Sequence, residues 1–432
     1  MRLQLDILNI RDVQFADRTT IIEGILYINR QELQEFLRED RRLSHIEIEL
    51  AHPGERCRIL QVTDVVEPRA KKNGGVDFAG ALGKHGRVGQ GNTSVLRGTA
   101  VVLSEYRRPG DPPMEPSAPQ LGGIIDMSGP GAELGIYGRT HNIILVPCPA
   151  TGVSLHDYRI ALKIAGLKTA VYLAQAGKDL KPDEIEVFDL PPLSEIGKGL
   201  GHLPKVAYIF QFISGQFESI PGYPILYGSG AERIAPTILH PNEVLDGAIV
   251  TPYRSMGMEE FSLQNHSIIK ELYRRHEKDL YFMGMVITVA HDKEQENERA
   301  ATMAAHLVKW ILGAEGVILT KSGGGIPEVA MALTAQRCEE LGVRTSLALV
   351  HYPTVLSGGD STVLFNVPEV DAIVSLGTPH ALITLPPVER FIGKPMDLPE
   401  GPLAGGEIKT TLHTVRGVIS QIANSALIAV QS

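Results

Sequence analysis

Short apolar runs recur through the last third of the chain: MGMVITVA (283–290), GVILT (316–320), TSLALV (345–350) and DAIVSL (371–376). Their length and lack of polar alternation suit strands buried on both faces. Two helices are expected between them. Asp292 with Gln295 offers a capping box for the first, which would end near Gly313; Pro327 suits the first turn of the second and Gly342 its end. Strands alternating with helices return parallel to one another by right-handed crossovers. Residues 283–432 are therefore expected to form a doubly wound, mostly parallel α/β sheet.

The remainder differs in texture. Residues 1–140 predict a β-rich N-terminal domain. LQLDILNI (3–10), IIEGILYI (21–28) and HIEIEL (45–50) alternate apolar and polar residues, and RILQVTDVVEP (58–68) and VLRGTAVVL (95–103) continue the pattern. Between them lies the glycine-rich stretch GGVDFAGALGKHGRVGQGNTS (74–94). Residues 141–282 predict an α/β middle region: a strand at NIILVPC, a helix over 153–166 ended by Gly166, and strands at TAVYLAQA and KVAYIFQF. After these, residues 214–260 hold too many Gly and Pro for a regular core element, and a loop of that length usually carries function. The fold class predicted is thus α/β, a β-rich N-terminal domain followed by α/β domains.

Composition excludes several functions. The 432 residues are 43% hydrophobic and 21% charged, with a net charge of −9. That is globular and offers no basic face for nucleic acid. No apolar run approaches the roughly 20 residues that span a bilayer, so no membrane partner is expected. The first residues read as a strand, not a signal peptide. Three cysteines, Cys57, Cys148 and Cys338, form no C-x-x-C pair, which fits a reducing cytoplasm. Cys148 and Cys338 lie in apolar-periodic segments and read as small core residues.

In doubly wound sheets ligands gather beyond the carboxyl ends of the strands. That rule selects His291, the turn Ser322-Gly323-Gly324-Gly325, and His351 with Asp360 beyond it. The turn leads into a helix, so its amides suit an anion such as a substrate carboxylate. It matches neither the P-loop nor G-x-G-x-x-G, which argues against a nucleotide. Imidazoles and carboxylates of His240, Glu243, His291 and His351, with His266, Asp246 or Asp360 in reserve, would suit zinc or iron. Their spacing fits no local motif such as H-E-x-x-H, so ordinary hydrogen-bonded histidines remain the alternative.

Several segments, in order, resemble the component B α/β-subunit precursor of the glycine/sarcosine/betaine reductase family. They are VDFAGALG…VGQGNTSVLRGTAVV, GGIIDMSGPGAELGIYGRTHNI, ALKIAGLKTAVYLAQA, ILYGSGAERIAPTILHPNEVLDGAIV, EGVILTKSGGG and IVSLGTPHALITLPP. The resemblance implies a precursor cut just after HPNE-x-x-DGAI, where a cysteine becomes a pyruvoyl group that forms a Schiff base with the substrate amine. It also implies a partner subunit, often with selenocysteine, that attacks the substrate α-carbon, and reduced thiols that complete the cycle.

Here DGAIV is followed by Thr251-Pro252-Tyr253-Arg254-Ser255-Met256-Gly257, and no cysteine lies between Cys148 and Cys338. The expected role is a reductase-complex subunit that cleaves a carbon–nitrogen or other carbon–heteroatom bond without a cysteine-derived pyruvoyl. His240, Glu243, Asp246 and His351 are the candidate catalytic residues. A metal ion would be one substitute electrophile; a pyruvoyl made from Ser255 is an alternative, and a non-catalytic scaffold for a catalytic partner is another. The expected partners are a second component-B-type subunit with selenocysteine or cysteine, a thiol reductant, and a small amine or acid substrate.

The segment 214–260 contains Pro221, Pro224, Pro236, Pro241 and Pro252, so ordering it costs less entropy than ordering a flexible loop. It is expected to pack on the carboxyl edge of the 283–376 sheet and to bring His240 or Glu243 close to His291 or His351.

Overall fold

The computed structural model describes residues 1–108, 110–111, 121–196, 202–214, 222–252, 257–350, 367–370, 372–394 and 404–425. The architecture is mixed α/β, with several separate sheets. The six-stranded sheet runs Thr237–Leu239, Tyr281–Ala290, Lys205–Ser214, Gly316–Lys321, Arg344–Leu349 and Ala372–Ser375 in spatial order. All its neighbours are parallel except the first pair. Every residue of Tyr281–Ala290 is buried, which is why its sequence shows no alternation. Helices Glu294–His306 and Ile326–Glu340 pack against one another beside this sheet.

The N-terminal half is β-rich. Arg2–Asn9 runs parallel to Gly91–Arg97 and antiparallel to Glu184–Asp189. A second sheet holds Leu43–Ala51, His141–Pro149, Thr99–Ser104 and Val62–Val66. Helix Leu155–Gln175 covers both of these sheets and buries Tyr158, Leu162, Leu167 and Leu173 in their core.

Four local expectations need correction. Residues 21–28 form a hairpin, Thr20–Ile22 against Ile25–Ile28, because Glu23 and Gly24 both take positive φ (51° and 77°). Gly166 does not end its helix, which continues through TAVYLAQA to Gln175. A Cβ at Gly166 would lie 2.6 Å from Leu103 Cδ2, so this glycine lets the helix approach the sheet. The helix Glu294–His306 starts after Lys293 with no side-chain cap, so the Asp292–Gln295 capping box is absent. The segment 214–260 is not wholly irregular: Thr237–Leu239 extends the sheet laterally, and Val244, Leu245 and Ile249 are buried. No described helix is long and apolar enough to cross a membrane.

Candidate functional site where the glycine-rich stretch meets HPNEVLDG

The HPNEVLDG segment folds as one tight unit. His240 leaves strand Thr237–Leu239 and caps helix Pro241–Leu245. Its Nδ1 accepts the Asn242 N–H at 3.2 Å, while its own N–H donates to Glu243 Oε2 at 2.7 Å. This is a reciprocal cap built with a histidine in place of the usual hydroxyl. Burial, reinforced by the nearby Met1 ammonium, pushes His240 down to about 4, so the ring is neutral at pH 7. The second carboxylate oxygen of Glu243 accepts the Tyr227 hydroxyl. Desolvation and the Glu243 charge raise the Tyr227 phenol well above its ordinary range.

Asp246 points the other way, into the glycine-rich stretch. It forms an ion pair with Lys71 and accepts Gly89 N–H at 2.5 Å and the Thr93 hydroxyl at 3.0 Å. Burial pushes the Asp246 carboxyl up; Lys71, Gly89 and Thr93 pull against it. Gly89 has φ of 83°, and a Cβ there would lie 2.9 Å from Glu243 N and 3.0 Å from Met1 Sδ. Only a residue without a side chain lets the two segments close to this distance.

Immediately beyond DGAIV the chain enters a buried polar cluster. Thr251 Oγ1 accepts Lys163 Nζ at 2.5 Å, and Thr251 N–H donates to Glu260 Oε2 at 2.9 Å. Lys163 pairs with Asp64 and, at 3.2 Å, with Glu260; their side chains are at most 5% exposed. One ammonium thus faces two carboxylates. Burial, then the Asp64 charge, pushes the Glu260 carboxyl up, and Lys163 opposes this. Next to it, the Tyr137 hydroxyl donates to Glu259 at 3.0 Å. A cavity of about 540 Å³ lies against the glycine-rich stretch, lined by Asp77, Lys84, Lys168 and Tyr172 among others. Asp77 accepts the Lys71 N–H at 2.7 Å, which connects this cavity to the Lys71–Asp246 pair. Sequence reasoning missed Lys71, Asp64, Lys163, Thr251 and Glu260. A lysine inside an apolar helix stretch, as at Lys163, was the available signal.

At the other end of the six-stranded sheet, the SGGG turn is internally bonded. Gly323 N–H donates to Gln421 Oε1 at 2.8 Å, and Gly325 N–H to Glu328 Oε2 at 3.2 Å. Glu328 also pairs with Lys321 at 3.3 Å. Ser322 is buried, with its N–H on the Gln211 carbonyl, while Gly324 is half-buried. The carboxylate already seated at this helix start is Glu328. His291 lies beyond Ala290, buried, 3.7 Å from Glu296; desolvation lowers its pKa.

The expected meeting of His240 or Glu243 with His291 does not occur. Leu239 pairs with Met285 on an antiparallel edge, so His240 continues toward the amino end of Tyr281–Ala290, whereas His291 follows its carboxyl end. Six residues at ~3.3 Å each already separate the Leu239–Met285 pair from His291, so His240 lies roughly 20 Å or more from it. Glu243 stays with His240 through the cap. His266 is fully buried beside Tyr208. His351, Asp360 and Ser255 lie outside the described residues. Cys338 is buried and pushed up to about 12 by desolvation, which keeps it an inert core thiol.

Residues 1–426 match the family described as glycine/sarcosine/betaine reductase component B subunits. The glycine reductase complex component B subunits alpha and beta of Acetoanaerobium sticklandii are 32% identical over 446 aligned positions, covering 99% of both chains. The sarcosine reductase complex component B subunit alpha of Peptoclostridium acidaminophilum is 34% identical, over 91% of this chain and 89% of that one. The betaine reductase complex component B subunit alpha of the same organism is 30% identical, over 94% and 91%. No solved structure matches the chain. With nearly its whole length aligned, the chain belongs to the glycine/sarcosine/betaine reductase component B subunit family.

Proposed function

We propose that this chain is the subunit of a component-B-like reductase complex that cleaves a carbon–nitrogen or other carbon–heteroatom bond without a cysteine-derived pyruvoyl group. One combination carries the reading: full-length membership of the family, together with T-P-Y-R-S-M-G after DGAIV and no cysteine from 149 to 337. The residues after DGAIV offer no cysteine for the family's prosthetic group, and Ser255 is the one serine alternative close behind it. The chain would hold a small amine or acid and present it to a second component-B-type subunit with a selenocysteine or cysteine nucleophile, which a thiol then restores. A metal would polarise the substrate as a Lewis acid in place of the carbonyl. His240, Glu243 and His291 are too far apart to hold one ion together.

The test is co-purification with the adjacent partner subunit, followed by turnover with glycine, sarcosine, betaine and related acids, and by elemental analysis. Reductive release of the amine or other leaving group supports the reading. A stable, complete complex that turns over none of them removes it. A metal-free complex of full activity removes the metal version.

A specific observation favours a second reading, a non-catalytic scaffold. His240, Glu243 and Asp246 are each committed to an internal partner, as a cap, a tyrosine acceptor and half of a buried ion pair. Unchanged turnover in the assembled H240A and E243A complexes would favour the scaffold. The same reading of the fold takes the six-stranded sheet as doubly wound. Right-handed crossovers along this strand order would put helix Ser267–Arg275 on one face and the Glu294–His306 and Ile326–Glu340 pair on the other.

A further inference from the structure

We propose that Asp12, His52 and His141 form a binding site for a divalent transition metal of the zinc class, separate from the candidate catalytic, substrate-binding and metal residues considered above. Among the described residues these are the group of three histidine and carboxylate side chains whose ligand atoms lie within 4.8 Å of one another. The backbone creates the pair of imidazoles. Asn142 is registered opposite Ala51 on antiparallel strands, so the next pair outward is His141 opposite His52. Their Nδ1 atoms are 3.0 Å apart. Asp12 opens the neighbouring strand Asp12–Phe15 and brings Oδ1 to 3.3 Å from His52 Nδ1 and 3.9 Å from His141 Nδ1.

Two of the three separations suit coordination directly, and the Asp12–His141 distance needs to close by about 0.4 Å. Metal–ligand bonds of about 2.0–2.2 Å at tetrahedral or octahedral angles require ligand atoms roughly 3–3.5 Å apart. The ligands are also oriented from behind. Asp12 Oδ1 accepts Val13 N–H at 2.8 Å and Oδ2 accepts the Gln14 amide at 2.7 Å, which fixes the carboxylate plane. Protons alone serve the cluster poorly. Two Nδ1 atoms at 3.0 Å share at most one proton in their neutral forms, and the carboxylate oxygen faces both of them. A cation satisfies all three lone pairs together. Two neutral imidazoles and one carboxylate leave a net charge of −1 to meet the ion. The side chains are partly exposed, His141 least at 16%, so ion and water can enter and open positions remain for water. Nitrogen and oxygen donors without sulfur exclude a thiolate-preferring metal. This site would also tie three strands of the N-terminal half together, whether or not the complex needs a metal for turnover.

The full-length chain, stripped with chelator, is titrated with Co²⁺ followed by visible absorption and with Zn²⁺ by calorimetry. The expected result is one equivalent bound, d–d bands without a thiolate charge-transfer band, and displacement of Co²⁺ by Zn²⁺. D12N, H52Q and H141Q should each weaken binding at least about tenfold while keeping the wild-type circular dichroism. Zn²⁺ should raise the melting temperature of the wild type and not that of H52Q. No binding by the wild-type chain overturns the proposal. So does a thiolate band, or equal Zn²⁺ affinity in the wild type and the folded H52Q/H141Q double variant.

Discussion

Lys71 and Asp246 form an ion pair with side chains only 5% and 4% exposed, and it locks the glycine-rich stretch onto the HPNEVLDG turn. Asp246 belongs to one of the segments that carry the family resemblance, and Gly89 and Thr93, which donate to its two oxygens beside Lys71, belong to another.

Removing one partner of such a pair strands the other charge. K71M should lower unfolding stability by about 3–5 kcal/mol. Substituting both residues by apolar ones should cost clearly less than the sum of the single changes. Denaturant midpoints of the two single variants and the double variant decide this, and additive losses would show that the pair does not act as a unit.

One fully buried and one half-buried histidine set the acid limit. His266 is pushed down to about 3 and His240 to about 4, both by desolvation, from an ordinary value of 6.5. Below pH 6.5 the unfolded chain takes up protons that the folded histidines refuse, so stability falls as the pH drops. The loss should be on the order of 3 kcal/mol for each histidine by pH 4. H266Q, which can still meet the Tyr208 hydroxyl, should flatten the slope between pH 6.5 and 4 in urea titrations. An unchanged slope would remove His266 as a contributor.

Glu260 titrates in the opposite sense. A carboxyl raised above its usual 4.5 stabilises the fold while protonated and loses that contribution as pH rises through the folded value. E260Q keeps an oxygen for Thr251 and leaves Lys163 matched with Asp64 alone. It should therefore gain stability relative to wild type as the pH is raised from 5 to 8. K163M should lose about 3–5 kcal/mol at pH 7 because two carboxylates are left uncompensated. Equilibrium unfolding at both pH values measures each effect.

Intact mass settles the serine alternative. An uncut chain gives a single species near 46.9 kDa. Cleavage before Ser255 would give fragments of roughly 27 and 20 kDa, judged from residue count. The single species is the expected outcome.

Much of the six-stranded sheet was legible because its strands are short apolar runs with clear breaks. Helix Leu155–Gln175 was legible only over its first half, because its second half, TAVYLAQA, reads as a strand. It is buried around most of its circumference, from Ala161 through Ala174, so its sequence lacks the one-sided stripe that marks a surface helix. HPNEVLDG stood out as ionisable residues in a loop. That His240 caps, that Glu243 holds Tyr227 and that Asp246 pairs with Lys71 depends on partners distant in sequence. The Asp12, His52 and His141 cluster needed strand register, which no local pattern contains.

The strand Tyr281–Ala290 carries His240 beside its amino end and His291 beyond its carboxyl end. A ligand of amino-acid size is far shorter than the roughly 20 Å between them, so a single small molecule cannot touch both. Perturbations at the two ends should therefore add independently in free energy, and strong non-additivity between them would require a macromolecular partner that spans the distance.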